Sequence, residues 1–270
     1  MNVSTIGIVA RNEVRRVLNN PFTVVIVVVL LVMILLNSVT SGYKLGLYES
    51  QLEGLGDVFV SVGLSTITFN MAMLFTILSL FIGLNSISEE RSGGALNTLI
   101  AKPVYKKEMI AGKFIGLCGF VWVLVIVSLL LSLLLITACF RAPISFEDTL
   151  YRMCAYTVLQ FANCALSIGL MIFFGVLLRN YYHALLCCAS YFFFTWFLII
   201  PYQFNFISFF LPSSLYFRIM DPVTGLTYLL NTTVPFDTWL SGALPYLVLL
   251  CLEALVVLSM SLAVFSLKDD

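Results

Sequence analysis

The sequence is poor in charge. Of its 270 residues only 14 are basic and 14 are acidic, so charged side chains make up 10% of the chain and cancel to a net charge of zero. Soluble domains carry about 25% charged residues, so this composition excludes an ordinary soluble enzyme. The lack of excess positive charge also argues against nucleic acid as a partner, because Lys and Arg neutralise phosphate backbones.

Metal-ligating and phosphate-binding motifs are also scarce. His183 is the single histidine, and none of the seven cysteines forms a CxxC pair. We therefore expect no metal site, and we interpret the cysteines as small residues of a membrane core rather than a disulfide framework. The pair Gly112-Lys113 is followed by Phe114, so it does not complete the GxxxxGK[ST] motif of an ATPase.

Apolar residues are abundant, at 61% of the chain, and they form long runs. A helix needs about 20 apolar residues to cross a bilayer, and only a helix satisfies its own backbone polar groups there. The sequence thus predicts an all-α membrane protein with six transmembrane helices, the last broken by Glu253. The predicted spans are residues 21–38, 60–87, 114–139, 153–178, 184–202 and 242–265.

Basic residues predict the orientation. An N-terminus in the cytoplasm gives ten basic residues inside and four outside, in agreement with the positive-inside rule. Those inside are Arg11, Arg15, Arg16, Arg91, Lys102, Lys106, Lys107, Lys113, Arg179 and Lys268, and those outside are Lys44, Arg141, Arg152 and Arg218. Six spans return the C-terminus to the cytoplasm. Pro201 and Pro212 leave open whether residues 203–217 also cross the membrane. A seventh crossing would place the C-terminus outside.

The first 20 residues form a separate predicted unit, a cytoplasmic interfacial helix preceding the transmembrane domain of residues 21–270. One helical face is apolar, with Val3, Ile6, Ala10, Val14, Val17 and Leu18. Arg11, Arg15 and Arg16 lie off this face, where they can meet anionic lipid headgroups. The alternative is a basic topology anchor without further function.

The cytoplasmic loop of residues 88–113 is the most structured polar segment. Ser92 can cap a short helix whose apolar face contains Leu96 and Leu99, and Pro103 stops it. So short a helix is marginal alone and needs a partner. Beyond it a second helical piece begins with Lys106 and Lys107, which are expected to face lipid phosphates or an acidic partner, and Lys113 marks entry to the third span. Alternatively, the loop lies on the membrane surface.

This loop resembles that of permease subunits of the ABC-2 type of ABC transporter. The resemblance rests on Glu89-Glu90-x-x-Gly93, then Leu96, Leu99, Pro103 and Gly112-Lys113. It implies that residues 93–100 are a coupling helix docking on a separate ABC ATPase subunit. The implied docking residues are Glu89, Glu90, Gly93, Gly94, Ala95, Leu96, Leu99, Ile100 and Pro103. Lysines stand in residues 105–107, where the family often has an arginine.

The same resemblance implies further properties. The chain would be the permease of an exporter in a prokaryotic cell membrane, paired with a second permease copy as a homodimer or heterodimer. It would hold no cofactor itself, since ATP and Mg would bind the partner ATPase. An ion-coupled secondary transporter is the alternative function, and a membrane-embedded enzyme a weaker rival, because neither internal repeats nor converging catalytic groups are evident. The residues do not identify the substrate.

Two further features are candidates for the transport path. Glu253 lies in the last predicted span, and a charge at that depth costs roughly 2.5 to 3.5 kcal/mol. We expect it to line the translocation path or a subunit interface, or else to make a structural hydrogen bond to a neighbouring Ser or Thr. Residues 203–240 are rich in aromatic side chains, which suits either a membrane-interface belt or the external lid that the resemblance implies.

Overall fold

The computed structural model of the protein describes residues 3–48, 57, 59–92, 106–139, 142–178, 180–196, 211–222 and 228–267. Every regular element in these ranges is helical. The α-helices are α1 (Val3–Asn19), α2 (Pro21–Tyr48), α3 (Ser65–Ser92), α4 (Lys106–Cys139), α5 (Phe146–Leu177), α6 (Tyr181–Trp196), α7 (Pro212–Met220) and α8 (Phe236–Leu267), and a π-helix, Phe59–Gly63, precedes α3.

Local sequence explains several helix ends. The side chain of Ser145 caps α5 by accepting a hydrogen bond from the backbone N–H of Asp148, and Glu147 and Asp148 favour the positive end of the helix dipole. Between α1 and α2, the Asn20 side chain accepts a hydrogen bond from the backbone N–H of Phe22. Pro21 occupies the first position of α2, where a backbone N–H would have no partner within the helix. The chain therefore turns at Asn20.

Five of the described helices are long and apolar enough to cross a membrane. They contain the candidate spans Pro21–Tyr43, Ser65–Ile87, Glu108–Ala138, Phe146–Leu177 and Phe236–Phe265. These five overlap the predicted first, second, third, fourth and sixth spans, and the chain is accordingly a multi-pass membrane protein. The predicted span 184–202 overlaps α6, which is described as far as Trp196, and residues 197–210 lie outside the described ranges.

Three long helices begin well before the spans that the apolar runs predicted. α4 begins at Lys106 rather than at residue 114, because the helical piece expected from Lys106 continues into the third span through the charged residues that bounded the run. α5 begins at Phe146 rather than at residue 153. α8 begins at Phe236 rather than at residue 242 and contains Pro245. The predicted external segment of residues 203–240 therefore includes α7 and the first turn of α8, while residues 203–210 and 223–227 are outside the described ranges.

Helix α5 lies at the centre of the bundle, where it packs against α3, α4, α6, α7 and α8. Small residues allow its closest approach to α3, because a methyl group added at Gly83 would lie 3.0 Å from the Met171 side chain. A polar seam runs along the same contact. The phenol of Tyr156 donates to the Thr68 carbonyl at 2.6 Å, and the amide of Asn163 donates to the Thr76 hydroxyl at 3.3 Å.

Candidate functional site

The candidate site is the base of the loop of residues 88–113, which connects α3 to α4. Glu89 and Glu90 lie in the last turns of α3, and Lys106 and Lys107 begin α4, although the positions of these four side chains are outside the description. The remaining predicted docking residues also lie outside the described ranges, namely Gly93, Gly94, Ala95, Leu96, Leu99, Ile100 and Pro103. The structure thus describes the two helices that flank the loop, the end of α3 and the start of α4, which we call its stems. It also describes the contacts between these stems and the rest of the bundle.

A buried polar cluster joins these stems to α1. The ammonium of Lys113, on α4, donates to the carbonyl of Ser86 on α3 at 2.8 Å and to its hydroxyl at 3.5 Å. It also contacts the carboxylate of Glu13, on α1, at 3.3 Å. Lys113 is 1% exposed and Glu13 4% exposed. A buried ammonium has three donors to satisfy, and this cluster provides an acceptor for each.

Arg16 extends the cluster along α1. Its guanidinium pairs with the second oxygen of Glu13 and donates to the Ser86 carbonyl at 3.5 Å. Arg11 and Arg15 are instead exposed on the opposite face of the helix. Lys113, which we predicted among the surface basic residues, is therefore corrected to a buried position, because Glu13 and Ser86 compensate its charge inside the bundle.

Two glycines of α4 allow α1 to pack closely against it. A methyl group added at Gly116 would lie 2.6 Å from the backbone oxygen of Ala10, and one added at Gly112 would lie 2.7 Å from the Val9 side chain. Both distances are shorter than van der Waals contact, so a larger residue would force the helices apart. The half-buried face of α1 that contains Ile6, Ala10 and Val14 accordingly packs against α4.

A second buried polar cluster lies at the other end of α5. Arg152 is 1% exposed, and its guanidinium donates to the carbonyls of Leu229 and Val234, the latter at 2.8 Å. It also pairs with the carboxylate of Asp148 at 2.7 Å. These contacts hold the turn before α8 against the bundle. The guanidinium suits this role because its donors are arranged in a rigid planar fork.

Asp57 supports the same end of the bundle. Its carboxylate accepts a hydrogen bond from the backbone N–H of Ile144 at 2.7 Å, and its own N–H donates to the hydroxyl of Thr232. Nearby, burial is the main cause that raises the pKa of Tyr228 to about 12, so its phenol stays protonated at physiological pH. The indole N–H of Trp239 donates to the Ile219 carbonyl at 2.9 Å and fixes α7 to α8.

Glu253 lies near the middle of α8 and is half-buried. One of its carboxylate oxygens is shielded and has no hydrogen-bond partner among the described residues. The structure therefore places this residue apart from both polar clusters.

The part of the chain that the structure describes holds no group of three or more His, Cys, Asp or Glu side chains with the geometry of a metal site.

Sequence reasoning missed Glu13, Ser86, Asp57 and the buried role of Arg152. One signal was present for Glu13, which is the single acidic residue of α1 and stands among three arginines. An isolated acid in a basic helix indicates a specific basic partner. Nothing in the sequence identifies that partner as Lys113, which is 100 residues away.

Comparison with known protein families gives a match that covers most of the chain. The model of a family described as ABC-2 family transporter protein matches residues 8–269. A search of curated proteins finds no match.

Proposed function

The chain belongs to the ABC-2 family of transporter proteins, since the match covers nearly all of its length, and from this membership we propose that it is the permease subunit of an exporter driven by a separate ATPase. Membrane subunits of this family are transport components. In the proposal, ATP and Mg bind the partner subunit and none binds this chain. Two permease copies, identical or different, complete the transporter.

The observation that carries the proposal is the cluster of Lys113, Glu13 and Ser86. These three residues belong to α4, α1 and α3, and two of those helices are the stems of the loop of residues 88–113. A force applied to the loop is therefore delivered to three helices that are tied by buried charged contacts. Such a tie suits a rigid lever better than a flexible linker.

The loop itself supplies the docking surface in this proposal. Glu89, Glu90 and residues 93–103 would contact the ATPase, with Leu96 and Leu99 as apolar anchors. Closure of two ATPases around ATP would displace the loops, and the tied helices α1, α3 and α4 would move with them. The cavity between two permease copies would then open to the outside.

The membrane placement follows the charge pattern. In the proposed orientation both termini are cytoplasmic, and the exposed Arg11 and Arg15 lie at the level of anionic headgroups. The turn held by Arg152 and the helix α7 would then lie at the external end of the bundle, over the exit. This arrangement suits a prokaryotic cell membrane with the ATPase on the inner side.

Co-purification with the ATPase tests the proposal. Replacing Leu96 and Leu99 by Ala should reduce recovery of the ATPase with the permease, because it removes the apolar anchors of the loop. Replacing Leu130 and Leu134 by Ala provides a matched control, since both are exposed apolar residues of α4 far from the loop. The control pair should leave recovery unchanged.

Transport measurements complete the test. In proteoliposomes, export should require ATP and an ATPase able to hydrolyse it. Uphill transport by the permease alone, driven by an ion gradient, would contradict the proposal and favour an ion-coupled secondary transporter. Equal ATPase recovery with both pairs of variants would reject the docking surface.

A further inference from the structure

Two apolar grooves lie side by side on the surface of the bundle. The first runs between α4 and α5, has a volume of about 340 Å³, and is lined by side chains of residues 122–133 and 146–158. The second runs between α5, α7 and α8 and has a volume of about 270 Å³. Cys154 and Val158 of α5 line both grooves. These two residues therefore form a ridge that separates the grooves, which we call the α5 ridge.

The α5 ridge leads to an acidic residue at the N-terminal end of the helix. Glu147 and Tyr151 precede Cys154 and Val158 at a spacing of i, i+4, i+7 and i+11, which places all four on one helical face. All four are exposed. The ring of Tyr151 stacks on that of Phe236, the first residue of α8, with centroids 5.9 Å apart. The carboxylate of Glu147 thus lies at the end of the ridge, between the two grooves.

The length of the grooves matches one leaflet of a membrane. From Phe146 to Val158 the axis of α5 rises about 18 Å, at about 1.5 Å per residue. The hydrocarbon layer of one leaflet is about 15 Å deep, which is half of the whole core. At the deep end of the first groove, the ring of Trp122 lies 6.4 Å from that of Phe161. Both grooves therefore follow the helices through one half of the bundle, as acyl chains do in a bilayer.

The charges described at this end of the bundle favour a cationic headgroup. Glu147 and Asp237 are exposed in the first turns of α5 and α8. Arg152 is buried, where its guanidinium donates to backbone carbonyls, and the guanidinium of Arg218 lies over an aromatic ring. Among the residues that the structure describes at this end, the exposed charged side chains are accordingly both acidic.

We propose that this surface binds one two-chain phospholipid with an ammonium headgroup. The headgroup lies beside Glu147, and the two acyl chains descend on either side of the α5 ridge, one in each groove. All membrane lipids are equally apolar, so packing in the grooves and the ion pair provide the preference for this lipid. The inference goes beyond the proposed transport function and does not depend on it. The proposed orientation decides only that the leaflet concerned is the outer one.

Other occupants fit this surface less well. A second copy of the chain requires an apolar face along a whole span, which α2 provides with exposed residues from Phe22 to Val39. The two grooves instead extend over one half of the bundle. An anionic phospholipid would place its net charge beside Glu147 and Asp237, and a single-chain amphiphile would fill only one groove.

Photolabelling of the complex of this chain with its ATPase tests the site. The complex is placed in nanodiscs of phosphatidylglycerol that contain increasing fractions of a phosphatidylethanolamine with a diazirine in each acyl chain. Labelled peptides are identified by mass spectrometry. We expect labelling of residues 122–133 of α4 and 236–247 of α8 to saturate at a low fraction of the probe. Labelling of α2 in the same sample should rise in proportion to the probe, because exposed residues without a groove contact bulk lipid.

A substitution in one groove tests whether a single molecule occupies both. Ala155 lines the second groove and not the first, so Ala155→Phe fills the second groove alone. If one lipid supplies both chains, the half-saturating fraction of probe should rise about tenfold for α4 as well as for α8. Ile115→Phe is the control, since Ile115 is an exposed residue of α4 that lines neither groove, and it should leave both curves unchanged.

A second variant tests the headgroup. Glu147→Gln removes the charge at the end of the α5 ridge and should raise the half-saturating fraction about threefold, in keeping with the small contribution of an exposed ion pair. Because Glu147 is exposed, this variant still reports on the site if Ala155→Phe fails to fold.

Four outcomes would overturn the inference. Proportional labelling of α2, α4 and α8 alike would show bulk lipid only, and an unchanged curve for α4 in Ala155→Phe would show that the grooves bind separate chains. An unchanged half-saturating fraction in Glu147→Gln would exclude recognition of the headgroup. A disulfide between the Cys154 thiols of two copies, formed in the nanodisc by a mild oxidant, would assign the surface to a contact between permeases. ATP hydrolysis and transport are measured separately, so failure of the proposed function is distinguished from failure of the lipid site.

Discussion

Lys113 is the residue on which the base of the loop depends most. Moving an ammonium ion out of water costs several kcal/mol, and the cost is offset only where opposite charge and hydrogen-bond acceptors replace the solvent. Glu13 supplies the charge and Ser86 supplies two acceptors. The three side chains are therefore interdependent, and removal of one leaves the others buried with fewer partners.

Replacing Lys113 by Met should lower the free energy of unfolding by about 3 kcal/mol, because the Glu13 carboxylate would stay buried with Arg16 as its only described partner. Unfolding of the purified protein in detergent measures the loss. Arg11→Met is the control, since Arg11 is exposed on the same helix as Glu13 and should change stability by less than about 0.5 kcal/mol.

A double-mutant cycle separates pairing from packing. Adding Glu13→Gln to Lys113→Met removes both charges, so the double variant should be less destabilised than the sum of the single variants. Strict additivity of the two losses would show that Glu13 and Lys113 act independently, and the buried ion pair would then not be what joins α1 to α4.

At the scale of elements, α1 is packed on the membrane bundle as well as being amphipathic. Gly112 and Gly116 are four residues apart on α4, so both lie on the face that α1 covers. Small residues at this spacing allow two helix backbones to approach closely. Backbone contact and the ion pair of Glu13 with Lys113 therefore both join α4 to α1.

Alanine substitution at Gly116, which contacts α1, and at Gly119, which does not, tests whether α1 packs on this face of α4. Gly116→Ala should destabilise the protein by about 1–3 kcal/mol, because its methyl group would meet the Ala10 backbone oxygen at 2.6 Å. Gly119→Ala should be neutral or stabilising by up to about 1 kcal/mol, since no atom lies within 4 Å of the added methyl and Ala favours helix.

Thermal unfolding and hydrogen exchange of the α1 amides measure both glycine variants. The rate of hydrogen exchange of the α1 amides should increase in Gly116→Ala and stay unchanged in Gly119→Ala. Equal changes in thermal stability and exchange rate in the two variants would mean that α1 does not pack on the glycine face of α4.

The sequence was sufficient to predict most of the spanning helices, because long apolar runs are a one-dimensional property of the chain. It predicted a helical piece beginning at Lys106 but not that this piece is continuous with the third span in α4, since charges near a span end do not stop a helix when tertiary partners compensate them. The pairing of Glu13 with Lys113 depends on how two distant helices are juxtaposed, and neither helix encodes that alone. The docking residues predicted in the loop, including Glu89 and Glu90, remain predictions.

At the scale of the whole molecule, burial divides the helices into inner and outer ones. Most residues of the candidate span in α5 are buried, whereas most residues of the spans in α2 and α8 are exposed on the bundle. The outer helices therefore present long apolar surfaces, which suit lipid or a second permease copy. In the described candidate spans, charged residues other than Glu253 lie near the ends, so the two ends of the bundle can be assigned to opposite sides of the membrane.

Cysteine labelling in cells tests that assignment. In a background with the seven native cysteines replaced, we expect Thr233→Cys, in the exposed turn before α8, to react with a membrane-impermeant maleimide in intact cells. Asn12→Cys, exposed on α1, should react only after permeabilisation, and so should a cysteine replacing Asp270. The physical reason is that basic residues concentrate on the side of the N-terminus and resist translocation. Labelling of the Asp270 replacement but not of Asn12→Cys in intact cells would require an odd number of crossings and would overturn the six-span topology.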